Sequence, residues 1–290
     1  MKRIVLLGGS GYVGQAFQEV LTKRGISYHN FSRKDLNYYD RGLLRDALRG
    51  IRPDALINAA GFTGKPNVDA CEEAKADCLL GNAVLPGIVR EVCQDLLLPW
   101  GHVSSGCIYT GKSGDGRPFQ EDDRPNFSFR SNFCSFYSGA KALGEEVLNG
   151  AEKCYVWRLR IPFDHRNHQR NYLSKLLAYE RLLNVENSIS QRFEFVGACL
   201  DCLEMGIPFG TYNVTNPGSI NARTITDIMK RHGLVRKELK FFKSEEAFKK
   251  IIGGAPRSNC ILCTEKLSNA GIRMTEVHRA IEAACRNWIA

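Results

Sequence analysis

Tyr137 and Lys141 stand four residues apart in Phe136-Tyr137-Ser138-Gly139-Ala140-Lys141, a stretch with helical patterning that runs to Leu148. That spacing puts both side chains on one helix face, a turn apart. A lysine beside a phenol favours the phenolate and lowers a pKa that starts at about 10. Such a phenol can hand a proton to a carbonyl as it is reduced. Ser104-Ser105 stands at the tip of the strand predicted from Trp100 to Ser104, and a hydroxyl there can hold the same oxygen. Tyr-x-x-x-Lys alone is a frequent chance pattern. Here it gains weight from the Ser-Ser strand end and from a glycine-rich loop near the start of the chain.

That loop is Gly8-Gly9-Ser10-Gly11-Tyr12-Val13-Gly14, with glycines in G-x-x-G-x-x-G spacing. It follows the apolar run Ile4-Val5-Leu6-Leu7 and opens a helical pattern with Val13, Phe17, Val20 and Leu21 on one face and Gly25 as its stop. Small residues let the backbone approach a pyrophosphate, and the free amides and dipole of the helix start attract negative charge. The expected ligand is therefore a dinucleotide. A second strand is expected over 26–31. A carboxylate at its end would bind a ribose 2′-hydroxyl and repel a 2′-phosphate. This chain has Ser32-Arg33-Lys34 instead, which favours NADPH.

The elements that carry these groups alternate. Asp35 to Asp40 reads as a short strand or turn, and Arg41 to Gly50 as an amphipathic helix stopped by Gly50. The strand at 54–61 ends in the small residues Asn58-Ala59-Ala60-Gly61, which leave room for a cofactor at the sheet crevice. Two helices follow, near 70–80 and 83–96. The pattern predicts an α/β fold with a Rossmann-type, doubly wound parallel sheet. The expected division is a dinucleotide-binding domain over residues 1–164 and a smaller, mainly substrate-binding region over 165–290, some of which returns to the sheet. The last helix is expected over 275–288.

The 290 residues carry a net charge of +9, with Lys and Arg spread along the chain and no nucleic-acid motif. Anionic small molecules suit that charge, and nucleic acid is not expected. No apolar run is long enough to span a bilayer, and Met1-Lys2-Arg3 leads into the first strand without a cleavable signal pattern. The cysteines number 11. Cys199-x-x-Cys202 and Cys260-x-x-Cys263 lack histidine partners at ligand spacing, so no metal is expected and free thiols in a reducing cytoplasm are the preferred reading.

Taken in order, the glycine loop, Asn58-Ala59-Ala60-Gly61, the strand-end serine and Tyr137/Lys141 resemble the extended short-chain dehydrogenase/reductases. Within that group the chain resembles dTDP-4-dehydrorhamnose reductases. It is especially similar to the UDP-4-keto-6-deoxyglucose 3,5-epimerase/4-reductases of UDP-rhamnose synthesis. The segments that carry this are 59–69 (Ala-Ala-Gly-Phe-Thr-Gly-Lys-Pro-Asn-Val-Asp), Gly106-Cys107-Ile108, Trp157-Arg158-Leu159-Arg160-Ile161-Pro162, Arg170-Asn171-Tyr172 and Ala255-Pro256-Arg257-Ser258-Asn259.

The resemblance implies roles. Ser105, Tyr137 and Lys141 would reduce a ketone, with Ser104 the weaker choice for the serine. Cys107 and Lys175 would epimerise the carbons beside it, one accepting a proton and the other returning one to the opposite face. A thiol and a lysine lowered by partial burial both suit this. NADPH would meet Gly8, Gly11, Tyr12, Val13, Gly14, Ser32, Arg33, Asn58, Ala59, Ala60, Tyr137 and Lys141; the nucleotide sugar would meet Asn82, Arg170, Asn171 and Arg257. His165 and His168 read as loop surface. Exposed helices around Tyr137 offer a surface for a homodimer. Two other readings stay open: reduction without epimerisation, and a dinucleotide-binding regulatory subunit without catalysis.

Overall fold

Side-chain alternation along β1 (Arg3–Leu7) sorts the interior into two layers. Ile4 and Leu6 face one core, and Val5 and Leu7 face the other. Strands buried on both faces read as continuous apolar runs, as parallel sheets require. The structure is a computed structural model describing residues 1–290 apart from Pro66, Asn132, Gly253 and the Ile252 side chain. Pro66, within the quoted 59–69 segment, therefore lies outside the described residues.

After β1 come α1 (Tyr12–Lys23), β2 (Ser27–Phe31), α2 (Arg41–Ile51), β3 (Ala55–Asn58), α3 (Lys75–Leu79), α4 (Leu85–Asp95), β4 (Trp100–Ser105), α5 (Phe136–Glu146) and β5 (Cys154–Leu159). The second half holds β6 (Pro162–Phe163), α6 (Tyr172–Ala178), β7 (Arg181–Leu182), β8 (Ser190–Gln191), α7 (Arg192–Met205) and β9 (Gly210–Asn213). It ends with α8 (Ala222–Arg231), β10 (Lys240–Phe241), α9 (Glu245–Ile252), α10 (Glu265–Asn269) and α11 (Val277–Arg286). The main sheet has six parallel strands in the order β2-β1-β3-β4-β5-β9.

Phe17 and Leu21 of α1 and Phe195, Val196 and Leu200 of α7 cover one face of that sheet. Leu44 and Leu48 of α2, with Val89 and Val92 of α4, cover the other. A separate core gathers Phe163, Leu173, Leu176, Ile225, Met229, Val277 and Ile281. It lies entirely in the second half, whereas α7 and β9 return to the sheet. Among the described residues, no helix is long and apolar enough to cross a membrane.

Two local expectations need correction. Gly50 lies inside α2, and the stop is Arg52, whose φ of 51° takes the left-handed cap. The two helices expected near 70–96 are joined by a π turn at Leu80–Val84, which buries Asn82. The extra residue per turn in a π segment re-aims side chains and is frequent at functional sites.

The placement of α5 sets the geometry of Tyr137 and Lys141. Ser135 caps the helix, accepting from Ser138 N at 3.1 Å. Near the other end, Glu145 pairs with Arg158 of β5 at 2.7 Å. The Ser104 hydroxyl of β4 donates to the same carboxylate at 2.5 Å. The two charged side chains are only 11% and 5% exposed. Removing one partner of a buried pair strands the other charge, at a cost of about 3–5 kcal/mol. Glu145→Gln is expected to lower the unfolding free energy by about 3–5 kcal/mol, read from a lower urea midpoint at an unchanged m-value; a loss below ~1 kcal/mol would show that the pair does not anchor α5.

Candidate active site

The carboxyl ends of β1, β3 and β4 open on one crevice, where doubly wound sheets bind ligands. Leaving β1, the chain turns at Gly8 with φ +81°, and a Cβ there would lie 2.5 Å from Ala60 N. At Gly14 a Cβ would come within 2.1 Å of the Gly8 carbonyl. Any larger residue at either position would break the turn or fill its approach. The loop is further held by Asn30, whose Oδ1 accepts from Gly9 N at 3.1 Å, and by Gln18, which donates to Gly9 O at 2.8 Å. No side chain caps α1, so its first amides stay available for an anion.

Beside this loop lies a cavity of about 170 Å³, lined among others by Gly8, Gly11, Arg33, Tyr38, Tyr39, Ala59 and Ala60. Arg33 lines this cavity and hydrogen-bonds Tyr39. Ser32 instead turns to Asp35, donating to it at 2.7 Å. The cradle thus fits a pyrophosphate, and Arg33 fits a phosphate on the adjoining ribose.

On the opposite wall, β4 ends at Ser105, whose hydroxyl accepts from Cys107 N at 3.2 Å and hydrogen-bonds the Tyr137 phenol. Ser104 is committed to Glu145, which leaves Ser105 as the serine facing Tyr137. Lys141 Nζ donates to Val103 O at 3.0 Å. Burial lowers this ammonium to about 8, although Glu145 and Cys107 oppose the shift. Tyr137 corrects the expectation from helical spacing. Burial and then the neighbouring Cys107 push its phenol well above the ordinary range, while the Ser105 hydrogen bond opposes them. Desolvation exceeds what one lysine supplies, so the phenol stays protonated and ready to donate.

Lys175 lies on α6 in a larger cleft of about 890 Å³, shared with Asp69, Arg170, Tyr179, Phe248 and Arg257. Burial lowers its ammonium, and Arg170 and Arg257 add to that shift. Arg257 pairs with Asp69 at 2.7 Å, and Arg170 donates to Gly64 O at 2.6 Å. Arg170, Lys175 and Arg257 line this cleft together with the carboxylates Asp69, Glu180 and Glu238.

Other expected contacts act from behind. Asn171 is fully buried; it caps α6 and holds the Asp164 and Arg166 carbonyls at 2.9 and 2.7 Å. Asn82 is 1% exposed and bridges Phe62 N and O. Asn58 is also buried, accepting from Ala60 N at 3.1 Å and meeting His102 Nδ1 at 3.2 Å. Val13 packs on the α1 core. Tyr12 stacks on His168 at 4.7 Å, so His168 is a packing residue of the glycine loop rather than free loop surface. Arg192 lies over the same Tyr12 ring and pairs with buried Asp164 at 2.6 Å.

Sequence reasoning missed Arg158 and Arg160 as site builders. They stand two apart at the end of an otherwise apolar strand, and that was the available signal. Cys199 and Cys202 are buried in α7, and among the described residues no three or more His, Cys, Asp or Glu are grouped so that they could hold a metal ion.

The RmlD substrate binding domain family matches residues 1–188. The chain is 31% identical over 273 residues to a trifunctional UDP-glucose 4,6-dehydratase/UDP-4-keto-6-deoxy-D-glucose 3,5-epimerase/UDP-4-keto-L-rhamnose-reductase of Arabidopsis thaliana, covering 92% of this chain and 39% of that protein. It therefore spans about two fifths of the length of that relative. It is 30% identical over 268 residues to the Arabidopsis thaliana bifunctional dTDP-4-dehydrorhamnose 3,5-epimerase/dTDP-4-dehydrorhamnose reductase, covering 91% and 85% of the two chains. Its fold superposes on the UDP-rhamnose synthase of Acanthamoeba polyphaga mimivirus with a TM-score of 0.89 and 23% identity, over 98% and 99% of the chains. With its parallel sheet, glycine loop and Ser-Tyr-Lys site, the chain belongs to the RmlD family.

Proposed function

We propose that this protein is an NADPH-dependent 3,5-epimerase/4-keto-reductase of a nucleotide-linked 4-keto-6-deoxyhexose, forming an L-rhamnose-type product. The observation that carries the proposal is the Ser105–Tyr137 hydroxyl pair, backed by buried Lys141 and flanked by Cys107. Bound NADPH would supply the hydride for C4. The chain's own residues do the rest. Ser105 orients the ketone oxygen, Tyr137 gives it a proton, and Lys141 stabilises the phenolate that remains. The same donors hold the enolate oxygen when Cys107 and Lys175 exchange protons at C3 and C5. The cleft cations Arg170 and Arg257 suit the diphosphate, and the region from residue 165 onward would carry most of the sugar-nucleotide contacts. All of its cysteines are free, which fits a reducing compartment such as the cytoplasm.

Tyr137→Phe is expected to cut C4 reduction by roughly 10²–10⁴-fold, the usual share of a positioned proton donor. Turnover of the keto-sugar nucleotide at the wild-type rate, followed by NADPH absorbance, would remove Tyr137 from that role. In D2O, NMR of the wild-type product is expected to show deuterium at C3 and C5. A reduced sugar without deuterium would leave a reductase only, and no turnover with UDP- or dTDP-sugars would favour a binding subunit.

Arg33→Ala is expected to lower the preference for NADPH over NADH by roughly tenfold or more, since a charged hydrogen bond is worth about 1.5–3 kcal/mol. An unchanged ratio of kcat/KM values would place the 2′-phosphate elsewhere. The pH profile has a defined sign. Lys141 holds its proton below about 8 and loses it above. Because kcat/KM for NADPH reports groups of the free enzyme, it is expected to fall as pH rises through that value. A flat profile to pH ~9.5 would show that the Lys141 charge is not required.

A further inference from the structure

Arg160 follows β5 directly and is 2% exposed. Its Nη1 donates to Cys107 Sγ at 2.9 Å. Its Nη2 donates to Asn187 Oδ1 at 2.6 Å and to Ser258 O at 2.5 Å. Among the described residues, no carboxylate forms an ion pair with this guanidinium. An arginine does not give up its proton inside a protein, and a buried cation without an anion is strongly disfavoured. Asn187 and Ser258 offer only dipoles. Cys107 is the hydrogen-bonded partner that can itself become an anion.

We infer that Arg160 is the positioning residue for Cys107: its N–H···S hydrogen bond aims the sulfur and stabilises it as the thiolate. This rests on the proposed epimerisation and specifies its first step. The Cys107 thiolate takes the proton from the carbon beside the ketone, and the C–H electron pair moves into an enolate. The Lys175 ammonium returns a proton to the opposite face, and the electron pair re-forms the C–H bond. Cys107 is left as thiol and Lys175 as amine, and both recover their starting forms by exchange with water.

The other ionisable groups around the pair do not replace Arg160. Tyr137 and Tyr172 are phenols that burial keeps protonated, Tyr172 being pushed up to about 12. Cys260 points its sulfur at Gly106 O, 3.3 Å away, and burial raises its thiol. Lys141 adds positive charge near Cys107 but is committed to Val103 O. Arg160 also grips the loop beside Arg257 through Ser258. One cation therefore touches both the sulfur and that loop.

The test is alkylation of Cys107 by iodoacetamide in the intact, substrate-free protein, read peptide by peptide by mass spectrometry between pH 6 and 10. An ordinary thiol, with a pKa of about 8.5, gains close to tenfold in rate per pH unit until then. The wild-type Cys107 rate is expected to be nearly level from pH 7 upward; an ordinary thiol profile overturns the inference without any variant. Arg160→Met is expected to slow alkylation at pH 7 by about tenfold, with recovery at pH 9, as loss of an adjacent opposite charge predicts. Arg160→Lys is expected to restore part of the rate. A wild-type rate in Arg160→Met at pH 7 also overturns it. In D2O, Arg160→Met is expected to lose deuterium incorporation at C3 and C5 about tenfold more than it loses C4 reduction of an already epimerised sugar. A level wild-type alkylation profile together with no deuterium incorporation by the wild type would retain Arg160's hold on the thiolate and refute the epimerase reading instead.

Discussion

The site depends on one buried carboxylate. Glu145 receives Arg158 from β5 and Ser104 from β4, and so clamps α5 to the two strands whose ends form the active-site wall. Tyr137 and Lys141 lie on the same helix, and Ser105 and Cys107 follow directly from Ser104. The clamp thus sets the spacing of Tyr137 and Ser105 from behind. It also explains two adjacent serines with different work. The inward one joins the clamp, and the next one, on the opposite face of the strand, meets the phenol.

A second charged knot, buried as deeply, joins the nucleotide loop to the substrate side. Arg192 at the start of α7 reaches Asp164, the Tyr12 carbonyl and the Tyr12 ring. Asn171 ties Asp164 to the cap of α6, the helix that carries Lys175. The start of α1 and the start of α6 therefore share one set of contacts. Asp164 bears no exposed side-chain surface, so this link is an interior one.

Much of this was legible in the sequence because the signals are local. The Ile4–Leu7 run, the glycine spacing and the Tyr137/Lys141 interval each constrain a few neighbouring residues, and period and turn chemistry translate directly into strand, loop and helix. What was not legible is long-range. Asn58, Asn82 and Asn171 have residue types that suit a ligand, yet their amides hold backbone groups brought near only by folding. Likewise, Lys141 was expected to govern Tyr137, but the depth at which α5 packs raises the phenol instead. Arg160 escaped notice because its spacing from Arg158 marks a charged strand end but not the sulfur 53 positions earlier that it meets.

The order of the strands has a consequence for how the molecule is assembled. β9 pairs with β5 only after the chain has passed through β6, α6, β7, β8 and α7. Until residue 213 is made, one edge of the sheet presents open amides and carbonyls, and the face bearing Ile4, Leu6, Tyr155 and Trp157 lacks α7 as its cover. An exposed edge and an uncovered apolar face invite association with other chains. On the ribosome, the cofactor-binding half therefore cannot finish before much of the other half has emerged, and a cut at residue 164 would divide the sequence where the sheet is still incomplete.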